Sequence, residues 1–203
     1  MQNIYEDDAL VGRITTQLVE SGSKVFQIFQ HGTEQEHASY MLELMRPYQN
    51  ANILDVGCGV GEVARLMQIE RPDLNFTLLN PSQAQLDMCP PHFRKVKGKA
   101  ESIPFPDNEF DVVMACYSLG HTELDESLPE LRRVLRNGGL LFVMDMAGGA
   151  MADLSYMAHD WKGAYILADL QLAPSFLAIV PDFRERYPSI FPILFREIKC
   201  PKC

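Results

Sequence analysis

Basic residues are in the minority in this chain: 18 Lys and Arg stand against 27 Asp and Glu, a net charge of −9. The isoelectric point is near 5.0. Proteins that grip nucleic-acid backbones need clustered Lys and Arg, so a nucleic-acid partner is not expected. The longest basic cluster, Arg94 to Lys99, is short. It reads as a solvated strand edge or as a contact for an anionic ligand. Long apolar runs are also missing. Residues 164–183 come nearest, but Asp169, Gln171, Pro174 and Pro181 interrupt them. A membrane span needs about 20 mostly apolar residues, so no stable membrane insertion is expected. The first residues, Met1 to Asp8, hold no basic region followed by an apolar stretch, and no signal peptide is expected from them. Cysteines number five, an odd count, at 58, 89, 116, 200 and 203. That is no disulfide framework and points to a reducing, cytoplasmic setting. Cys200 and Cys203 form a Cys-x-x-Cys with no second pair. Zinc would usually want one, so the pair reads as a tail and no metal is expected.

What is present is a substantial apolar content, 47% of residues, enough for one sizeable core. The reading is a single domain over 1–203, with a helical cap or lid in 1–50 and an α/β core in 51–203. In the cap, Ala9, Leu10, Ile14, Leu18 and Val19 form one helical stripe, and Ala38, Met41, Leu42 and Met45 another. From Ala51 onward strands and helices alternate, which implies a doubly wound, mostly parallel sheet. Strands are expected near 52–56, 75–80, 94–98, 110–117 and 139–146. Helices are expected near 61–70, 82–89, 125–136 and 150–170. Residues 176–180 and 192–198 read as a terminal strand pair.

The most informative stretch is Ile53-Leu54-Asp55-Val56-Gly57-Cys58-Gly59-Val60-Gly61. An apolar run ends in an acid and three alternating glycines, and a helical pattern with Val63, Leu66 and Met67 follows. This is a strand, a tight turn and a helix start. Glycines let the backbone take positive φ and let a ligand approach it. The free N–H groups of a helix start favour a polar or anionic group. The spacing differs from the Gly-x-Gly-x-x-Gly of dinucleotide folds. In open α/β sheets, ligands lie beyond the carboxyl ends of the strands. That rule selects Asp55–Gly61, Asn80–Gln85, Lys99–Ser102, Tyr117–Thr122 and Asp145–Gly149.

The turn resembles the first motif of the class I S-adenosylmethionine-dependent methyltransferases, which have a Rossmann-like fold. Three further segments carry the resemblance: Asn80 to Leu86, Gly98 to Asp111, and Arg133-Val134-Leu135-Arg136-Asn137-Gly138-Gly139. The likeness spans residues 50–146 and implies S-adenosylmethionine as cofactor. By it, the cofactor-binding residues are Asp55, Gly57, Cys58, Gly59, Gly61, Asn80, Pro81, Gln85, Ala100, Glu101 and Tyr117. Two positions depart from the common pattern. Asn80 stands where many members place an acid for the ribose hydroxyls, and by resemblance to a small-molecule and lipid subgroup it pairs with Gln85 there. Lys99 stands where an acid commonly accepts the adenine amino hydrogen, which lysine cannot do. Asp111, at the start of its strand, reads as structural.

The implied activity is methyl transfer to an oxygen or carbon of a small, apolar metabolite. An oxygen acceptor needs a proton removed, and His121 is the candidate base by position and ordinary pKa, with Glu123 and Tyr117 beside it. The other reading of His121 is a residue that only shapes the turn. For carbon methylation, Tyr117, Tyr156, Trp161, Tyr165 and Phe176 are candidates for an aromatic lining, with Glu123, His121 or His159 as bases. Acceptor choice is assigned to the amino-terminal helices and residues 147–191. A small-molecule partner is expected, and a homodimer is left open. The competing readings are a non-catalytic binding protein of the same fold and a methyltransferase for macromolecules.

Overall fold

The computed structural model describes residues 7–20, 34–46, 48–145, 164–167 and 175–179. The elements in chain order are α1 (Asp8–Glu20), α2 (Glu34–Leu44), β1 (Asn52–Val56), α3 (Glu62–Glu70), β2 (Asn75–Asn80), α4 (Gln83–Met88), β3 (Arg94–Lys97), β4 (Phe110–Cys116), a 3₁₀ turn (Leu119–His121), α5 (Leu124–Val134), β5 (Leu135–Asp145), β6 (Ala164–Leu167) and β7 (Ser175–Ile179). One seven-stranded sheet runs in the order β3-β2-β1-β4-β5-β7-β6. The pairs β3–β2, β2–β1, β1–β4 and β4–β5 are parallel, and β7 runs antiparallel to both β5 and β6. The order reverses direction at β1, so β1 and its neighbour β4 flank the switch point where open sheets bind ligands.

The central strands are apolar almost throughout because both sheet faces are covered. Their side chains alternate between two cores. Ile53, Leu78, Val112, Met114 and Phe142 join Met41 and Met45 of α2 and Val63 and Met67 of α3 on one face. Leu54, Leu79, Val113 and Leu141 join Leu128, Leu131 and Val134 of α5 on the other. The sheet is thus wound on both sides, as expected. Asp111 is structural: its carboxylate accepts from Asn52 N–H at 2.7 Å and pairs with Arg136 at 2.6 Å.

Three expectations need correction. Two residues of the apolar stripe of α1 do not pack: Ile14 is 45% and Val19 55% exposed. Val11 and Thr15 are buried instead, and the bare Cα of Gly12 faces Ala84, where a Cβ would sit at 3.1 Å. Close approach and polar anchoring chose this face. Asp8 accepts from Gln83 N–H and from Lys97 Nζ, each at 2.8 Å. Second, residues 164–167, expected in a helix, form β6 and pair with β7. Residues 192–198, expected as part of the terminal pair, lie outside the described residues. Third, β5 begins directly after α5, and its register against β4 slips between Phe110 and Val112. The expected glycine turn is absorbed into that irregularity, with Gly138 at φ 75°.

Arg133 ties the loop before β4 to α5. It donates to the carbonyls of Ile103 and Phe105 at 2.9 and 2.8 Å and pairs with Glu130 and Asp107. Arg133→Ala should therefore cost about 1–3 kcal/mol, since several charge-assisted bonds go at once. Urea unfolding would show this, with faster hydrogen exchange at residues 103–108. An unchanged midpoint would mean the loop holds itself.

Candidate functional site

The chain leaves β1 through three left-handed glycines: Gly57 at φ 72°, Gly59 at 57° and Gly61 at 74°. Gly57 N–H and Cys58 N–H both donate to Leu79 C=O of β2, at 2.8 and 3.2 Å. The three glycines serve different ends. A Cβ on Gly57 would lie 2.3 Å from Ser118 Cβ, and one on Gly61 would lie 3.0 Å from Leu78 Cδ1. A Cβ on Gly59 would meet nothing within 4 Å. Gly57 and Gly61 are glycines for packing, whereas Gly59 presents bare backbone to open space. Gly61 is also the N-cap of α3, with no side chain capping that helix. The first N–H groups of α3 therefore have no intrahelical acceptor.

The neighbouring strand ends converge on this turn. Asn80, at the end of β2, is 3% exposed. Its Oδ1 accepts from Ser82 N–H at 2.9 Å, and its Nδ2 donates to Gln85 Oε1 at 3.1 Å and lies 3.9 Å from Cys58 Sγ. The expected Asn80–Gln85 pair is thus brought together, next to half-buried Pro81. After β4, Tyr117 takes φ 54° and packs against the first core beside Cys58. Ser118 Oγ donates to Val56 C=O at 2.7 Å. His121 N–H donates to Ser118 C=O at 3.2 Å, so the exposed His121 side chain stands on the turn after β4. Glu123 is exposed at the N-cap of α5. Its N–H donates to Glu101 Oε1 at 3.1 Å, which ties the loop after β3 to the same end of the sheet. Ala100 is buried in the second core, and Lys99 bridges to Ser102. Tyr156, His159 and Trp161 lie outside the described residues.

Sequence reasoning missed Ser118, Thr15 and Cys89. Thr15 Oγ1 accepts from Gln85 Nε2 at 3.2 Å, which links α1 to the Asn80 amide. Nothing in its local sequence marks it. The bulk of Ser118 is visible only through the turn it touches.

Asp55 is the electrostatic centre of the site. It is 3% exposed, and desolvation by burial pushes its carboxyl up to about 7. Among the described residues, no cation or hydrogen bond is found to offset that rise. A cofactor ammonium beside it would, because an opposite charge at close range favours the ionised form.

A cavity of about 390 Å³ opens elsewhere, at the starts of the strands, among Asn52, Asn75, His92, Phe93, Arg94 and Glu109. It lies at the edge opposite the glycine turn and is no part of this site.

Comparison with known proteins agrees with the geometry. A family described as "Methyltransferase domain" matches residues 54–143. That match covers a little under half of the chain and agrees with the likeness to the class I S-adenosylmethionine-dependent methyltransferases. The demethylmenaquinone methyltransferase of Thermotoga maritima is 25% identical over 138 residues, 66% of this chain and 60% of that protein. The ubiquinone/menaquinone biosynthesis C-methyltransferase UbiE of Hahella chejuensis is 33% identical over 108 residues, 48% of this chain and 43% of that one. The chain thus spans about half the length of these relatives. Among solved structures, the YcgJ protein of Bacillus subtilis superposes with a TM-score of 0.52 at 22% identity, over 61% of this chain and 56% of that one, which shows the fold. The cofactor of the family is S-adenosylmethionine. The site fits it: open backbone at Gly59, an uncapped helix start, and a buried carboxylate with no counterion among the described residues. Among the described residues, no helix is long and apolar enough to cross a membrane.

Two outcomes separate packing from ligand binding. Gly57→Ala should destabilise the fold, because the new methyl meets Ser118 as well as an unfavourable φ. Gly59→Ala should cost only the left-handed strain, about 1–2 kcal/mol, while abolishing binding of S-adenosylhomocysteine. Thermal melts and calorimetry on both variants check this. Equal destabilisation with binding retained at Gly59→Ala would contradict it.

Asp55 also sets a pH signature. As pH rises, the unfolded chain gives up this proton near the ordinary carboxylate value of about 3.9, while the folded chain keeps it until about 7. The protonated group therefore favours folding most below about pH 4. That contribution, about 4 kcal/mol, is lost as pH rises towards 7. Asp55→Asn should gain stability relative to wild type at pH 8 but not at pH 4. In the wild type at pH 6, cofactor binding should release a proton, seen as a buffer-dependent heat in calorimetry. No proton release would place the ammonium elsewhere.

Proposed function

We propose that this chain transfers the methyl group of S-adenosylmethionine to an oxygen or carbon atom of a small, apolar metabolite. The observation that carries the reading is the open, left-handed backbone at Gly59 beside the desolvated carboxylate of Asp55. When bound, the cofactor supplies an electrophilic methyl carbon on a sulfonium. The residues of this chain supply position and proton handling. The glycine turn and the α3 start receive the amino-acid end, with Asp55 as its counter-charge. The Asn80–Gln85 pair faces the ribose, held in place by Ser82 and Thr15. Ala100 and Glu101 flank the adenine, and Tyr117 closes the side towards β4. An imidazole nitrogen of His121 takes the proton from an oxygen acceptor, with Glu123 nearby as a second carboxylate. The relatives whose names refer to quinone biosynthesis support an apolar ring acceptor. The acidic balance of the chain favours a small molecule over a nucleic acid. The odd, unpaired cysteine count supports a cytoplasmic setting, and a homodimer is compatible with the reading.

A second reading is a binding protein without transfer activity. One observation favours it: both ends of the Asn80 amide already have partners inside the protein, Ser82 N–H and Gln85 Oε1. The test is transfer of a labelled methyl group from S-adenosylmethionine to quinone, sterol and phenolic acceptors. Label in an extracted product supports the enzyme. Tight binding without label in any acceptor supports the alternative. With an oxygen acceptor in hand, His121→Ala should lower turnover by about 10²–10⁴-fold and leave cofactor affinity nearly unchanged. Equal turnover would remove His121 as the base.

A further inference from the structure

Two thiols meet across the glycine turn. Cys58 lies within it, half-buried, and Cys89 follows α4, 3% exposed. Their sulfurs lie 3.6 and 3.5 Å from the same acceptor, the carbonyl oxygen of Gly59. Each thiol also shifts the ionisation of the other. Cys89 Sγ is 3.4 Å from Gln85 C=O, and a Cβ on Gly61 would sit 3.4 Å from it. The turn therefore rests directly on Cys89, with no side chain between.

The pair is asymmetric. The neighbouring Cys58 thiol lowers the Cys89 thiol, and Lys95 adds to this against burial and the Asp55 and Asp87 charges. The same contact, burial and the Asp55 charge push Cys58 well above the usual thiol range. One sulfur is thus the readier thiolate, and the other is placed to resolve what that thiolate forms. A disulfide holds its sulfurs about 2.05 Å apart, closer than two separate thiols gathered on one carbonyl oxygen. Closing it must draw the turn onto the end of α4, and left-handed glycines on both sides of Cys58 give the turn that freedom.

We propose that Cys58 and Cys89 form a reversible redox modification site, in which a peroxide closes a disulfide that pulls the glycine turn onto α4 and lowers cofactor affinity. The effect on affinity rests on the reading of the turn as the cofactor site. In the reaction two S–H bonds break and one S–S bond forms. The two electrons reduce the peroxide O–O bond, and two water molecules leave. A dithiol reductant reverses it.

The test treats the full chain, reduced, with hydrogen peroxide, alkylates the remaining thiols and maps disulfides by mass spectrometry. Calorimetry with S-adenosylhomocysteine follows, before oxidation, after it, and after dithiothreitol. A Cys58–Cys89 linked peptide is expected, with affinity falling at least tenfold and returning on reduction. Cys89→Ala and Cys89→Ser should each show the same affinity before and after peroxide. The proposal is overturned if peroxide oxidises other cysteines without linking this pair. It is equally overturned if the link forms with affinity unchanged, or if both Cys89 variants lose affinity under peroxide. The mapping needs no cofactor. A reduced protein that binds no S-adenosylhomocysteine would overturn the cofactor reading and the affinity effect, while the linked peptide alone would decide whether the pair is a redox site.

Discussion

The contact on which the site depends is the one between Gly57 and Ser118. There is no room between them: any side chain on Gly57 would begin 2.3 Å from Ser118 Cβ. That approach lets Ser118 Oγ reach Val56 C=O, and it puts the turn after β1 beneath the turn after β4. On the other side, Leu79 C=O takes the N–H groups of both Gly57 and Cys58. Three strand ends are thereby fixed to one another. The glycine turn is left with one open face, at Gly59, and one uncapped helix start, at α3. Without the close approach, the β4 turn that carries Tyr117 and His121 would have no fixed distance from the turn that carries Asp55.

Burial of Asp55 is the energetic counterpart of this geometry. A carboxylate held from water with no partner is costly, and among the described residues none relieves it. Such a group destabilises the fold at neutral pH and favours a ligand that brings a positive charge. The strain therefore sits where binding energy can offset it, as functional sites often arrange. Asn80 is the opposite case. Its amide is satisfied within the protein by Ser82 and Gln85. The strand end proposed to face the ribose is held by a hydrogen-bond chain that reaches Thr15 in α1. The amino-terminal helix joins the candidate site through that chain, even though its Ile14 and Val19 face outward.

Much of this was legible in the sequence because it is local. The alternation of apolar runs with glycine and helical periods marks β1, α3, β2 and β4 within a residue or so, since each element shows its own period. The turn at Gly57–Gly61 is legible because only glycine tolerates three positive φ angles in five residues. What escaped is tertiary. The packing face of α1 was chosen by Gly12 meeting Ala84 and by Asp8 finding Gln83 and Lys97, none of which a hydrophobic stripe reveals. The β6–β7 pair replaces an expected helix at 164–167, because pairing along β5 outweighs local periodicity. Cys89 carried no signal until the fold put it beside Cys58, 31 residues away in sequence.

The account rests on the turn after β1 as the place where the cofactor's amino-acid end binds. A crystal structure of the chain soaked with S-adenosylhomocysteine tests this most directly. The account predicts ligand density across Gly57 to Gly61, its ammonium within salt-bridge distance of the Asp55 carboxylate and its ribose against Asn80 and Gln85. Ligand bound only in the cavity at the opposite edge of the sheet, or an ammonium far from Asp55, would contradict it.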